Sequence, residues 1–227
     1  MLLPGLDDTG LLFEPFAAAA PAAFDPSVLA YPTTGPQTYE ALGAWVAERL
    51  PTRPFILTAE SFSGPLAIRL AAEQPDHLRA LVLAASFVRA PTPFGVAESL
   101  ARLAINMPGS AQVAALALMG AHGPRSQRRE LARVIKQVPA STLAARIRAV
   151  SQADARAALR RASVPVLYLR ATRDRIVGRR HARDVMKAAS DGTGVDIEAP
   201  HLVLQSAPEA CWQAIERLVA EASPLTR

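Results

Sequence analysis

Short apolar runs alternate with amphipathic stretches along the first ninety residues, the pattern of a parallel sheet covered by helices. Met1-Leu2-Leu3 is a brief apolar run closed by the turn pair Pro4-Gly5. Leu11 to Ala23 has helical periodicity, and Val28 to Tyr31 is a short strand stopped by Pro32. A helix is predicted over Thr38 to Leu50, then a strand at Phe55 to Thr58 and a helix over Phe62 to Gln74 that Pro75 ends. Leu81-Val82-Leu83 is the next strand.

Between Pro91 and Ala162 the strand signal disappears. Helical patterns occupy Leu100 to Ile105, Ala111 to Met119, Gln127 to Val138, Leu143 to Val150 and Ala155 to Arg161. Alternation then resumes with strand Val166 to Leu169, helix Arg180 to Ala189, strand Val195 to Ile197 and helix Pro208 to Ala222. A helical block set into a β-α alternation predicts an α/β core built from residues 1–90 and 163–227, with 91–162 inserted as a helical cap. Ligands in open parallel sheets bind beyond the carboxyl ends of the strands, so the residues that directly follow strands carry the chemistry.

Three strand ends hold such candidates. Strand Phe55 to Thr58 leads through Ala59-Glu60-Ser61-Phe62-Ser63-Gly64 into a helix, the shape of a nucleophile elbow with Ser61 at its tip. The positions two residues to either side of the nucleophile must be small, and Ala59 and Ser63 are small, although neither is the glycine of the strict pattern. Placing the nucleophile at Ser63 instead would put Pro65 at a flanking position, where its fixed φ is a poor fit. Asp174 follows strand Val166 to Leu169 and can hold a histidine in the correct tautomer. His201 follows strand Val195 to Ile197, and His77, His122 and His181 are assigned structural roles. Nucleophile, acid and base therefore appear in the chain order Ser, Asp, His. The loop Pro4-Gly5-Leu6-Asp7-Asp8-Thr9-Gly10 follows the first strand, so the amides of Leu6 and Phe62 are candidates to converge on a developing oxyanion.

Composition narrows the rest. The chain has 227 residues, half of them hydrophobic and a fifth charged, as expected of one globular domain. Its single cysteine, Cys211, rules out an internal disulfide and a zinc-ribbon site, and its apolar-periodic setting predicts a buried structural thiol. The apolar stretch from Leu11 to Phe24 is cut by Glu14, Pro15 and Pro21. It predicts neither a signal peptide nor a membrane span, and so a cytoplasmic protein. Charge is uneven: residues 91–162 carry eleven basic and three acidic side chains, net +8, within a chain total of +5. An excess of this kind either steers acidic partners or forms a solvated arginine-rich face. Without interleaved aromatics it does not predict nucleic-acid binding.

On these residues the sequence resembles the α/β-hydrolase superfamily. Leu3 to Gly10 resembles its oxyanion loop, with Pro4 where a His is often found, and Glu60 to Ala67 resembles its elbow. Val164 to Leu169, running on to Asp174, is similar to its acid strand, and Pro200 to Gln205 to its histidine loop. The resemblance implies a mainly parallel sheet that lacks the family's first two strands and keeps about six. It also implies acyl transfer to Ser61 with no metal or organic cofactor. The basic helical block is similar to that of the esterases that demethylate pimeloyl-acyl-carrier-protein methyl ester. The expected activity is hydrolysis of a small-molecule ester or acyl substrate. Two alternatives stand beside it: a thioesterase or esterase serving acyl-CoA or an acidic acyl-carrier protein, and a non-catalytic binding protein on the same fold.

Overall fold

The computed structural model describes residues 1–7, 9–91, 107–120 and 124–222. The helix expected at Leu100 to Ile105 and the loop residue Asp8 lie outside the described residues.

Five parallel strands form one sheet: β1 (Leu2–Leu3), β2 (Phe55–Glu60), β3 (Leu78–Ala84), β4 (Val166–Ala171) and β5 (Gly192–Ile197). Their spatial order follows the chain order, and every pairing is parallel. The strand expected at Val28 to Tyr31 contributes only a single parallel bridge between Leu2 and Val28. Leu2 N donates to Ser27 O at 2.8 Å and Leu29 N to Leu2 O at 3.0 Å. Pro26 and Pro32 lack the N–H groups needed to extend the ladder in either direction.

Ten α-helices are described: α1 (Glu14–Ala18), α2 (Tyr39–Ala47), α3 (Gly64–Ala72), α4 (Ser110–Met119), α5 (Arg125–Ile135), α6 (Ala140–Ser151), α7 (Arg156–Arg161), α8 (Arg179–Ala188), α9 (Val203–Ser206) and α10 (Pro208–Ala222). Local sequence accounts for several of their ends. The Thr38 hydroxyl caps α2 by accepting from Ala41 N at 3.2 Å. Pro65 opens α3, where a missing N–H costs nothing, and α1 stops short of Pro21.

Period-two alternation along β3 sends Leu81 and Leu83 to one face of the sheet and Ala80, Val82 and Ala84 to the other. On the first face they join Leu42 and Val46 of α2, Leu66 and Ile68 of α3, Leu159 of α7 and Val185 of α8. The second face packs against Phe16 of α1 and Trp212, Ile215 and Leu218 of α10, where the Phe16 and Trp212 rings stack at 4.5 Å. Because strand order follows chain order, crossovers of one hand all fall on the same face, as α2, α3, α7 and α8 do. A third cluster joins α4 and α5 through Ala111, Ala115, Met119, Leu131 and Val134, and seats them on Leu12 and Leu202. No helix among the described residues is long and apolar enough to cross a membrane.

Candidate active site

Ser61 follows β2 immediately and takes φ = 49°, left-handed backbone that a non-glycine residue rarely adopts. Such strain costs about 1–3 kcal/mol and survives only where neighbours overdetermine it. Here the Ser86 hydroxyl donates to Ser61 O at 2.7 Å. Gly64 makes room for that hydroxyl, since a Cβ at Gly64 would lie 1.7 Å from Ser86 Oγ. Ala59 and Ser63, the small flanking positions, are wholly buried.

The three side chains expected at successive strand ends meet. His201 Nε2 lies 2.8 Å from Ser61 Oγ, and His201 Nδ1 lies 2.7 Å from Asp174 Oδ2. The other Asp174 oxygen accepts from Ile176 N at 2.7 Å and Val177 N at 3.0 Å, which fixes the carboxylate plane. The Asp174 carboxylate is fully shielded from solvent and the imidazole nearly so. His201 is the imidazole that bonds Ser61, whereas His181 is buried on α8 and His77 precedes β3; His122 lies outside the described residues. The backbone N–H of His201 donates to Leu118 O at 3.1 Å, so the end of α4 supports the histidine loop.

The Leu6 loop lies against the elbow. A methyl group added to Gly5 would sit 4.0 Å from Ser61 Cβ. Ser63, weighed above as a rival nucleophile, is structural: its hydroxyl donates to Pro4 O. The single Ser63 proton is used there, so Tyr31 O–H is the donor in the 2.5 Å Tyr31–Ser63 bond. Tyr39 O–H donates to Phe62 O at 3.0 Å, and the Tyr39 and Phe62 rings stack at 5.1 Å. Burial holds both tyrosine hydroxyls neutral, well above the usual phenol range.

Beneath the elbow, burial raises the Glu60 carboxyl to about 8, a hydrogen bond from Gln205 only partly offsetting it. Desolvation also pushes the Cys211 thiol up to about 12, the behaviour of an inert structural cysteine. Tyr31, Gln37, Arg146 and Gln205 support the site without being singled out by sequence reasoning, and Ser63 supports it in a role the sequence does not show. Only Ser63 carried a local signal, by standing where the elbow pattern asks for a minimal side chain.

The model of a protein family described as serine aminopeptidase, S33, an α/β-hydrolase family, matches residues 39–199. The chain belongs to this family. The matched span contains the elbow and Asp174 and stops two residues before His201. No curated protein gives a significant match. Solved structures with the same fold include the enol-lactonase from Burkholderia xenovorans LB400. It has a TM-score of 0.80 at 19% identity, over 96% of this chain and 90% of that one. An esterase from Exiguobacterium antarcticum superposes with a TM-score of 0.77 at 15% identity, covering 97% and 90% of the two chains. A bromoperoxidase from Bacillus anthracis gives 0.82 at 15%, covering 96% and 90%. The fold is thus that of the α/β-hydrolases, and the protein is a hydrolase by family.

Proposed function

We propose that the protein is a serine hydrolase that cleaves carboxylic esters through an acyl-enzyme on Ser61. The observation that carries this reading is the continuous chain Ser61–His201–Asp174, at 2.8 and 2.7 Å, behind a serine with φ = 49°. In this mechanism Asp174 accepts a hydrogen bond from His201 Nδ1–H, which keeps Nε2 unprotonated and free to take the Ser61 proton, and then stabilises the imidazolium. The Ser61 oxygen attacks the ester carbonyl, and the oxyanion forms at the amides of Leu6 and Phe62. His201 then protonates the leaving alcohol as the C–O bond breaks. Water, deprotonated by His201, attacks the acyl-enzyme, and the acid departs as Ser61 recovers its proton. These steps need no metal or organic cofactor.

Residues 91–162 serve in this reading as the cap over the strand ends, and their described part touches the machinery through Leu118 and Arg146. Esterase and enol-lactonase among the structural relatives favour an oxygen-ester substrate. The single buried thiol suits a cytoplasmic setting. An intact triad argues against a purely binding role.

One observation favours a second reading, in which the substrate rides on an acidic carrier protein. A surface groove of about 520 Å³ between α4 and α5 is lined by Arg125, Arg128, Arg129, Arg133 and Lys136. This is also the feature that keeps open the likeness to pimeloyl-carrier esterases. It predicts that turnover of a carrier-bound substrate falls steeply with salt while turnover of a short neutral ester does not. Equal salt responses exclude it.

The test of the main reading is a panel of acyl-chain esters and thioesters offered to wild type and Ser61→Ala. Turnover of esters by wild type, lost by several orders of magnitude in Ser61→Ala, is the expected result. Equal rates in the two proteins overturn it.

A further inference from the structure

Arg146 lies on α6, and its side chain is wholly buried. Nη1 donates to Leu6 O at 3.1 Å. Nε and Nη2 both donate to Gln37 Oε1, at 2.9 and 2.7 Å, and Nη2 also reaches Pro32 O at 3.3 Å. The guanidinium carbon stands 5.6 Å from the Tyr31 ring centre and 5.8 Å from that of Phe62. Gln37 is itself fixed, because its Nε2 donates to the carbonyls of Pro32, Thr34 and Gly35. An arginine pinned by a rigid amide and two ring faces offers its remaining N–H groups in set directions.

The consequence lies in which peptide units are held. The Leu6 N–H belongs to the Gly5–Leu6 peptide. The peptide before it carries the Pro4 carbonyl, which the buried Ser63 hydroxyl holds. The peptide after it carries the Leu6 carbonyl, which Arg146 holds. Between the two anchors lie only the torsions of Gly5 and Leu6, and Gly5 is the most permissive residue the chain could use there. Both anchors together narrow the range of those torsions; with one removed, the glycine lets the Leu6 N–H swing further.

We propose that Arg146 is a positioning residue that aims the Leu6 N–H at the oxyanion by holding the next carbonyl along the chain. This rests on the hydrolase reading, with Leu6 as a donor to the developing charge. Losing one such donor outright costs on the order of 10²–10³ in rate, so a misdirected donor costs less.

Arg146→Lys and Arg146→Met test it, with hydrolysis of a p-nitrophenyl ester as the assay and fluorophosphonate titration counting competent sites. The expected result is a fall in kcat per site of roughly 10- to 100-fold with KM nearly unchanged. Affinity for phenylboronic acid, whose serine adduct is tetrahedral, falls by a similar factor. Thr142→Val is the control: the Thr142 hydroxyl ties the same helix to Thr33 O at 2.7 Å, whereas Arg146 ties it to Leu6 O. The Thr142 change destabilises the protein but keeps kcat per site. If Arg146→Met does not fold, Arg146→Lys decides, because a lysine cannot serve Leu6 O and Gln37 with the same fork. Wild-type kcat per site in folded Arg146 variants overturns the proposal, as does an equal loss in Thr142→Val. A wild-type protein that takes no label on Ser61 overturns the hydrolase reading itself, and that is read before any variant is made.

Discussion

Gln205 Nε2 donates to Glu60 Oε2 at 3.0 Å, linking the residue before Ser61 to the helix that follows His201. Both partners are buried, and Glu60 Oε1 and Gln205 Oε1 have no donor among the described residues. A proton on Glu60 turns one of these two acceptors into a donor. That suits a carboxyl whose burial, reinforced by nearby Asp7, raises it to about 8.

This pair predicts a pH dependence of stability. Below the ordinary glutamate range, Glu60 is protonated in both the folded and the unfolded chain, and folding carries no penalty. As pH rises toward about 8, the carboxyl ionises in the unfolded chain but not in the folded one, so stability is lost across that window and then levels off. Glu60→Gln removes the effect and gives Gln205 Oε1 a donor. In urea unfolding the variant therefore gains on wild type between pH 5 and pH 8. An identical difference at both pH values contradicts the assignment.

Ser63→Ala removes the donor to Pro4 O and the acceptor of Tyr31 O–H, leaving two buried polar groups unmatched. The expected loss is about 1–3 kcal/mol in urea unfolding, together with a lower kcat because one anchor of the Leu6 peptide is gone. Tyr31→Phe leaves the Ser63–Pro4 bond in place and costs less, about 1 kcal/mol, with kcat retained. Equal effects of the two changes on kcat would show that Ser63 does not act through Pro4.

Gly64→Ala brings a methyl group to within 1.7 Å of Ser86 Oγ and 2.7 Å of Ser86 Cβ. Gly64 starts α3, and Ser86, wholly buried just beyond β3, is held through Ser61 O and Tyr168 O–H. Neither yields easily, so a loss above about 3 kcal/mol is expected. Adding Ser86→Gly removes both clashing atoms. The double variant should recover most of that stability, though not the bond to Ser61 O. Simple additivity of the two changes would show that the clash is not what Gly64 avoids.

How much of this was legible in sequence depended on how local each signal was. Ser61, Asp174 and His201 could be found because each follows an apolar run closed by turn residues, a pattern written within ten residues. Val28 to Tyr31 looked equally strand-like, but the proline on each side left it one bridge. The four-residue α9 escaped notice because a single turn has no period to detect. Arg146 was harder still. It counted toward the basic excess of residues 91–162, yet it is buried against Leu6, 140 positions away. Ser63 reads in sequence as a small position flanking the nucleophile, and nothing local marks it as the donor to Pro4, 59 positions away. Pairings of that range depend on the finished fold and leave no trace in local composition.

The central claim is that Ser61 is an activated nucleophile. Intact-protein mass measurement after brief exposure to a fluorophosphonate tests it most directly. A single adduct on Ser61 in folded wild type, absent from Ser61→Ala and from heat-denatured protein, is the predicted result. No adduct in folded wild type, or one that persists in Ser61→Ala, would contradict it.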